Sequence, residues 1–429
     1  MMEGAARQIE AALTYYDLRR YAEAEAALRK ALVYEPGSAT AHAWLVFALL
    51  AQSSPANPQP GRLAEALREA KAAVAADPAA ALGYRAMGWV CLTMRKPDEA
   101  LRAAAEILRM DPQSETGWEL TSDGWLQKQE YAKALECAAA GLRTSPESLA
   151  LLTNQAQALI LLDRTGEARE SLETVLALDP ARPSAHTLRG WLAILQNDPV
   201  AAMGFFRTAL RLDPLSETAR RGLLAALKSR NPFYRLMVRY SLWASRFNHS
   251  EALIFLSALA SVNVILGSIS RVFLPLYLIY LPWRMLYGLF VDFSWISDVL
   301  FVLVLRFSPT GRVILTKEEI RASNPFALSL FYFLVNLAFG LLFWQWGYLG
   351  GMFLGLAMGL PAAAVYKMRE KPRPRRIIMA VLVSLLAFFG LFAQGLLFVA
   401  PFWALAPGFF FALGRLSLPW IANLILLWE

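Results

Sequence analysis

Histidine and cysteine are scarce in this 429-residue chain, with three of the first and two of the second. His42, His186 and His249 stand far apart, and no H-E-x-x-H or comparable ligand spacing occurs. Cys91 and Cys137 give neither a metal pattern nor a disulfide framework, so both read as small apolar residues inside helices. No glycine-rich loop ending in Lys-Ser/Thr appears; "SPTGRVIL" (308–315) lacks that pattern. No G-x-S-x-G elbow is present, and Ser384 lies in an apolar run without a nearby histidine. These gaps remove the common hydrolase, nucleotide and metal chemistries, so neither an enzyme nor a cofactor is expected. Charge is also thin, at 18% against 57% hydrophobic residues. No long apolar stretch opens the chain, since "MMEGAARQIEAALTYYDLRRY" is amphipathic and charged. The first half is therefore expected in the cytoplasm.

The charge that exists is divided unevenly. Residues 1–229 hold 25 Lys+Arg and 27 Asp+Glu, whereas residues 230–429 hold 17 and 7. The basic excess sits beside apolar runs, where it sets membrane orientation. It is not a nucleic-acid signal.

The first half repeats. "YAEAEAALRKALVYEP" ends at Pro36, and five similar segments end at Pro78, Pro112, Pro146, Pro180 and Pro214. The spacings are 42 and then four of 34; the longer one contains the loop-like insertion "QSSPANPQPG" (52–61). A small residue recurs at Ala24, Ala66, Ala100, Ala134, Ala168 and Ala202. Four later stand Leu28, Ala70, Ala104, Ala138, Leu172 and Phe206. Seven later stand Ala31, Ala73, Ile107, Gly141, Val175 and Ala209. Over residues 3–229 this resembles the tetratricopeptide repeat (TPR) family. The resemblance implies a solenoid of about six helix pairs, with "LSETARRGLLAALKS" (215–229) covering its open end. One helix pair cannot bury its apolar face alone, so neighbours must stack, and the proline stops each second helix.

The resemblance also implies a protein-binding groove lined by the first helix of each pair. Counted from the preceding prolines, its lining is expected at Tyr16, Phe47, Arg85, Trp89, Glu119, Asp123, Thr153, Gln157, Thr187 and Trp191. Tryptophan at helical spacing equally suits core packing. Arg85 and Asn154 are isolated fragments of the Lys/Asn/Arg set with which some TPR proteins grip a C-terminal carboxylate. Trp89 stands where that set needs Asn. An apolar or helical segment is the better expected partner.

From residue 252 the pattern changes to apolar runs at 252–270, 272–291, 326–346 and 347–366, with room for two more in 377–428. Six transmembrane helices are expected, within a range of five to seven. Arg306, Arg312, Lys317 and Arg321, and the basic "KMREKPRPRR" (367–376), place those loops inside. The TPR stack and the C-terminus then share the cytoplasmic side. Between the halves, "RNPFYRLMVRYSLWASRFN" (230–248) puts Phe233, Leu236, Met237, Tyr240, Trp243 and Phe247 at helical spacing. Arg235, Arg239 and Arg246 lie on its other side, as in a helix resting at the membrane interface. Gly347, Gly351, Gly355 and Gly359 form a bare stripe suited to close helix packing.

The expected fold is thus all-α, with a cytoplasmic TPR solenoid (1–229), a juxtamembrane amphipathic helix (230–250) and a polytopic membrane domain (251–429). The expected function is a membrane-anchored scaffold that binds a protein partner at the cytoplasmic face. Its expected surroundings are a lipid bilayer, a bacterial inner membrane given the Ala/Leu/Arg-rich composition, and no nucleic acid. A second copy of the chain stays open as a partner. A transporter or channel component, or an envelope-assembly (export) factor regulated by its TPR domain, is the alternative.

Overall fold

The computed structural model describes residues 2–53, 60–232, 234–235, isolated positions from 258 to 283, 296–307, 314–343, parts of 352–368 and 373–399. The described residues are helical, with no strand among them. The chain divides into two compact units, Met1–Ile254 and Phe255–Glu429.

The first unit is a run of antiparallel helix pairs. The first helices are α1 (Met2–Asp17), α3 (Ala39–Gln52), α5 (Ala81–Thr93), α7 (Glu115–Gln127), α9 (Leu149–Leu161) and α11 (Pro183–Leu195). The second helices are α2 (Tyr21–Tyr34), α4 (Pro60–Ala76), α6 (Pro97–Met110), α8 (Tyr131–Thr144), α10 (Thr165–Leu178) and α12 (Pro199–Leu212). Helix α13 (Glu217–Ser229) packs on α11 and α12 and closes the stack. Each first helix also touches the next first helix, which brings those helices to the inner, tighter side of the solenoid.

Punctuation by residue type explains the repeat length. Arg19, Arg95, Gln129, Asp163 and Asn197 all adopt positive φ, the last four at intervals of 34. Around each, two backbone N–H groups turn back onto the preceding helix, as Lys96 to the Cys91 carbonyl and Arg95 to that of Leu92. This pattern satisfies carbonyls that the helix end would otherwise leave open. Ser38, Ser114, Ser148 and Ser216 cap α3, α7, α9 and α13 by accepting from Ala41, Gly117, Leu151 and Ala219.

The eighteen repeat positions named from the sequence are all buried. Size compensation fits them together. Phe206 occupies a position that holds Ala or Leu in the other repeats, and its ring lies against Gly190 and Gly222, where a Cβ would collide with it. At Gly141 a Cβ would come within 2.7 Å of Leu151 Cδ1 and Trp118 Cβ.

Among the described residues of the second unit, two helical stretches are long and apolar enough to cross a membrane, Lys317–Leu342 and Pro374–Phe392. Of their most apolar windows only 17% and 22% is buried, so both present apolar side chains outward. They coincide with the runs expected at 326–346 and from 377. Between Asn324–Phe343 and Arg373–Val399, Gln394 donates to Asn336 (3.0 Å) and accepts from Tyr332, while Asn336 donates to the Tyr332 carbonyl (2.9 Å). Such mutual satisfaction holds polar groups between apolar helices. Gly355 lies where a Cβ would come within 2.7 Å of Phe333 Cα, and its carbonyl accepts from Ser329 (2.7 Å). Gly359 has more room, with Phe326 at 3.5 Å. Gly347 and Gly351 lie outside the described residues. So do the run at 272–291 apart from a few positions, and everything beyond 399.

Candidate functional site

Side chains from successive first helices form a row along the inner face. At its N-terminal end Tyr16 meets Trp44 edge-on at 5.4 Å, Trp44 meets Phe47 at 5.4 Å, and the Arg85 guanidinium lies 4.8 Å over the Phe47 ring. Edge-to-face rings and a cation on a π face are favourable arrangements. Phe47 is buried beneath them, so Arg85 rather than Phe47 presents the surface there. Burial, and next Tyr21, raise the Tyr16 hydroxyl above its ordinary pKa. Trp89 is half-buried and packs on the cores shared by α3, α5 and α6.

The middle of the row is acidic. Glu119 and Asp123 are one helical turn apart on α7, each half-buried. Burial, then Asp123 and Glu115, push the Glu119 carboxyl up to about 7; Arg85 and Arg182 act the other way through space. Burial pushes Asp123 up to about 6, opposed only by the Asn154 amide. Asn154 is 8% exposed, and its Nδ2 approaches Asp123 without closing a geometrically complete hydrogen bond. Removing carboxylates from water disfavours their charged form, and two such groups close together add to the effect.

Beyond it, Thr153 and Thr187 are buried and donate to their own helices, at the Leu149 and Pro183 carbonyls (2.5 and 2.9 Å). Their hydroxyls are therefore committed. Gln157 is half-buried on α9. Trp191 meets Phe206 edge-on at 5.5 Å, which ties it to the core under α12 and α13. Among the sequence-expected lining residues, Tyr16, Phe47 and Arg85 thus share one cluster, and Glu119 and Asp123 another. Thr153, Thr187 and Trp191 serve packing.

Two members escaped the sequence reading. Trp44 links Tyr16 to Phe47. Arg182 stands at the start of α11, 34 residues after Ser148 and 34 before Ser216, where those helices have their serine caps. That break in the serine register was a visible signal. A cation at a helix N-terminus opposes the helix dipole, so Arg182 is not there to cap.

His42 and His186 have structural work. His42 Nε2 and His186 Nε2 each lie 2.9 Å from the carbonyl of the proline six residues earlier, and Trp118 Nε1 donates to Pro112 in the same way (3.1 Å). Of the juxtamembrane residues, Arg235 donates to the Ser229 carbonyl at the end of α13 (2.9 Å). Arg239, Trp243 and Arg246 lie outside the described residues. No group of three or more metal-ligating side chains occurs among the described residues.

Comparison with known proteins agrees with the repeat geometry. Residues 9–81, 85–148 and 153–217 match the tetratricopeptide repeat family. No curated protein matches the chain. Among solved structures, the chain is similar to PilF of Pseudomonas aeruginosa at 22% identity, over 51% of this chain and 96% of that one, with a TM-score of 0.41. It is similar to PilW, described as a type IV pilus biogenesis factor, at 16% identity over 51% and 98%, TM-score 0.43. It is also similar to YrrB, described as a TPR protein with an unusual peptide-binding site, at 16% identity over 45% and 96%, TM-score 0.31.

Proposed function

Residues 9–217 being tetratricopeptide repeats, we propose that this protein is a membrane-anchored scaffold that holds a protein partner on the inner face of its solenoid. The observation that carries the reading is the row along the first helices. Arg85, Trp89, Glu119, Asp123 and Gln157 each keep part of their surface exposed on a face built from three successive repeats. An extended concave surface of mixed aromatic and polar character suits a polypeptide segment better than a small molecule.

The anchoring part of the proposal rests on the two apolar stretches with outward-facing side chains, Lys317–Leu342 and Pro374–Phe392, and on the further apolar runs in the sequence. We take residues 1–229 as the solenoid, 230–250 as an interfacial helix and 251–429 as a multi-pass domain. The basic loops favour reading the solenoid as cytoplasmic. The resemblance and the repeats supply a binding surface and no catalytic constellation.

The test is quantitative affinity purification from mild-detergent membranes, comparing the intact protein with Trp89→Ala/Gln157→Ala at matched abundance. A partner lost selectively from the variant supports the reading. Identical partners with both proteins would move recognition elsewhere. If Asn336→Leu/Gln394→Leu instead abolished the cellular activity at normal abundance and partner binding, the membrane half would carry the function, as in the transporter or export alternative.

A further inference from the structure

We propose that the middle of the inner face, formed by Glu119, Asp123 and Asn154, receives a lysine or arginine side chain of the partner polypeptide. This rests on the scaffold reading above and adds the chemistry of what is bound.

The inference starts from an imbalance. Two carboxyls one turn apart on α7 are drawn out of water without an ion pair of their own. Elsewhere on the solenoid, carboxylates such as Glu217 and Glu167 pair with a basic neighbour one turn away, Glu217 with Arg220 and Arg221 (2.7 and 2.8 Å). Glu119 and Asp123 have no such neighbour. The charged groups that act on Glu119 are Asp123 and Glu115 on its own helix, Arg85 from α5 and Arg182 from the start of α11. Glu115 is engaged with Ser148, which donates to it at 2.5 Å. Arg85 is engaged with the Phe47 ring. The two arginines leave three carboxylates against them, so the centre of the row has a spare negative charge once Glu119 and Asp123 ionise.

Asn154 supplies the second observation. It is buried, it comes from the next first helix, and its Nδ2 donor is aimed at Asp123 with no complete hydrogen bond. A buried donor without a partner is costly. An ionised Asp123 is a stronger acceptor for this amide than the protonated acid, and a cation placed beside Glu119 and Asp123 favours that ionised form. Charge, desolvation and the open donor are all answered by one ligand group, a cationic side chain. A partner of acidic or purely apolar character would leave all three unanswered. Since burial favours the protonated carboxyls and a bound cation the ionised ones, binding of the basic residue releases protons and strengthens as pH rises from 5 to 8.

The experiment uses the full chain in detergent micelles and a degenerate peptide library with an N-terminal tag. Peptides captured by the intact protein are sequenced at pH 5 and pH 8, in parallel with Glu119→Gln/Asp123→Asn and Trp89→Ala/Gln157→Ala. We expect Lys or Arg enriched at least fivefold at one position of the captured peptides at pH 8. The enrichment should be lost at pH 5 and in Glu119→Gln/Asp123→Asn. Should that variant fail to fold, the pH comparison on the intact protein stands by itself. Capture that depends on Trp89 and Gln157 but shows no basic preference, or one indifferent to pH, overturns this proposal and leaves the scaffold reading intact. No capture above background, or capture indifferent to Trp89 and Gln157, overturns both.

Discussion

At the scale of single residues, the solenoid's turns and its acidic centre make opposite demands. Gln129 holds a left-handed conformation that costs a non-glycine residue about 1–2 kcal/mol, partly offset because glycine gains entropy when unfolded. Gln129→Gly is therefore expected to stabilise the solenoid by about 0.5–1 kcal/mol, read from urea unfolding followed by circular dichroism. Asn197→Gly should gain less, because asparagine tolerates that conformation better. For Glu119 and Asp123 the sign runs the other way from a surface carboxylate. Their folded-state pKa values, about 7 and about 6, lie above those of the unfolded chain, so the folded state holds more protons between pH 4 and 7. Stability is then lost as pH rises through that window. Glu119→Gln/Asp123→Asn should raise the melting temperature at pH 8 and leave it nearly unchanged at pH 4. An equal effect at both pH values would mean the carboxyls are not destabilised by burial. The Cys91 thiol, pushed up to about 11 by burial and then by Glu99, should resist maleimide until the protein unfolds.

At the scale of helices, packing is decided by pairs of large and small residues. Gly222→Ala drives a methyl into the Phe206 ring and should cost about 1–3 kcal/mol, the range for overpacking a tight core. Phe206→Ala should cost about 3–5 kcal/mol through the cavity it leaves. Arg182→Ser restores the cap that α7, α9 and α13 possess and is expected to stabilise by about 1 kcal/mol. Because Arg182 offsets part of the negative charge at Glu119, that gain should come with stronger capture of a basic side chain. This is the scale at which the sequence was most legible. The 34-residue period and its small residues identified each second helix, because stacking imposes the same close approach at every repeat. The inner face was less legible, because position on a first helix does not say which side chains commit themselves elsewhere. Phe47 is covered by Arg85, Thr153 and Thr187 bond their own helices, and Trp191 serves Phe206. Those outcomes depend on neighbours one or two repeats away. Arg182 could have been found, since it breaks the serine register.

In the whole molecule a solenoid of repeats precedes an apolar second unit. Charge in the loops predicts that Lys317→Cys is labelled from the same side as the solenoid and Tyr348→Cys from the opposite side. Labelling of both from one side would contradict the multi-pass arrangement. The polar contacts among Tyr332, Asn336 and Gln394 belong to the interior of that unit, where they hold helices together. They are the first place to look should the second unit prove active. The central claim is that the inner face of the solenoid carries the partner. Its most direct test is photo-crosslinking in cells, with a photoreactive residue placed either at Gln157 on the inner face or at Val33, which is 81% exposed on the second helix α2. The account predicts a discrete crosslink to another protein from position 157 and none from position 33. A partner captured from 33 and not from 157 would contradict it.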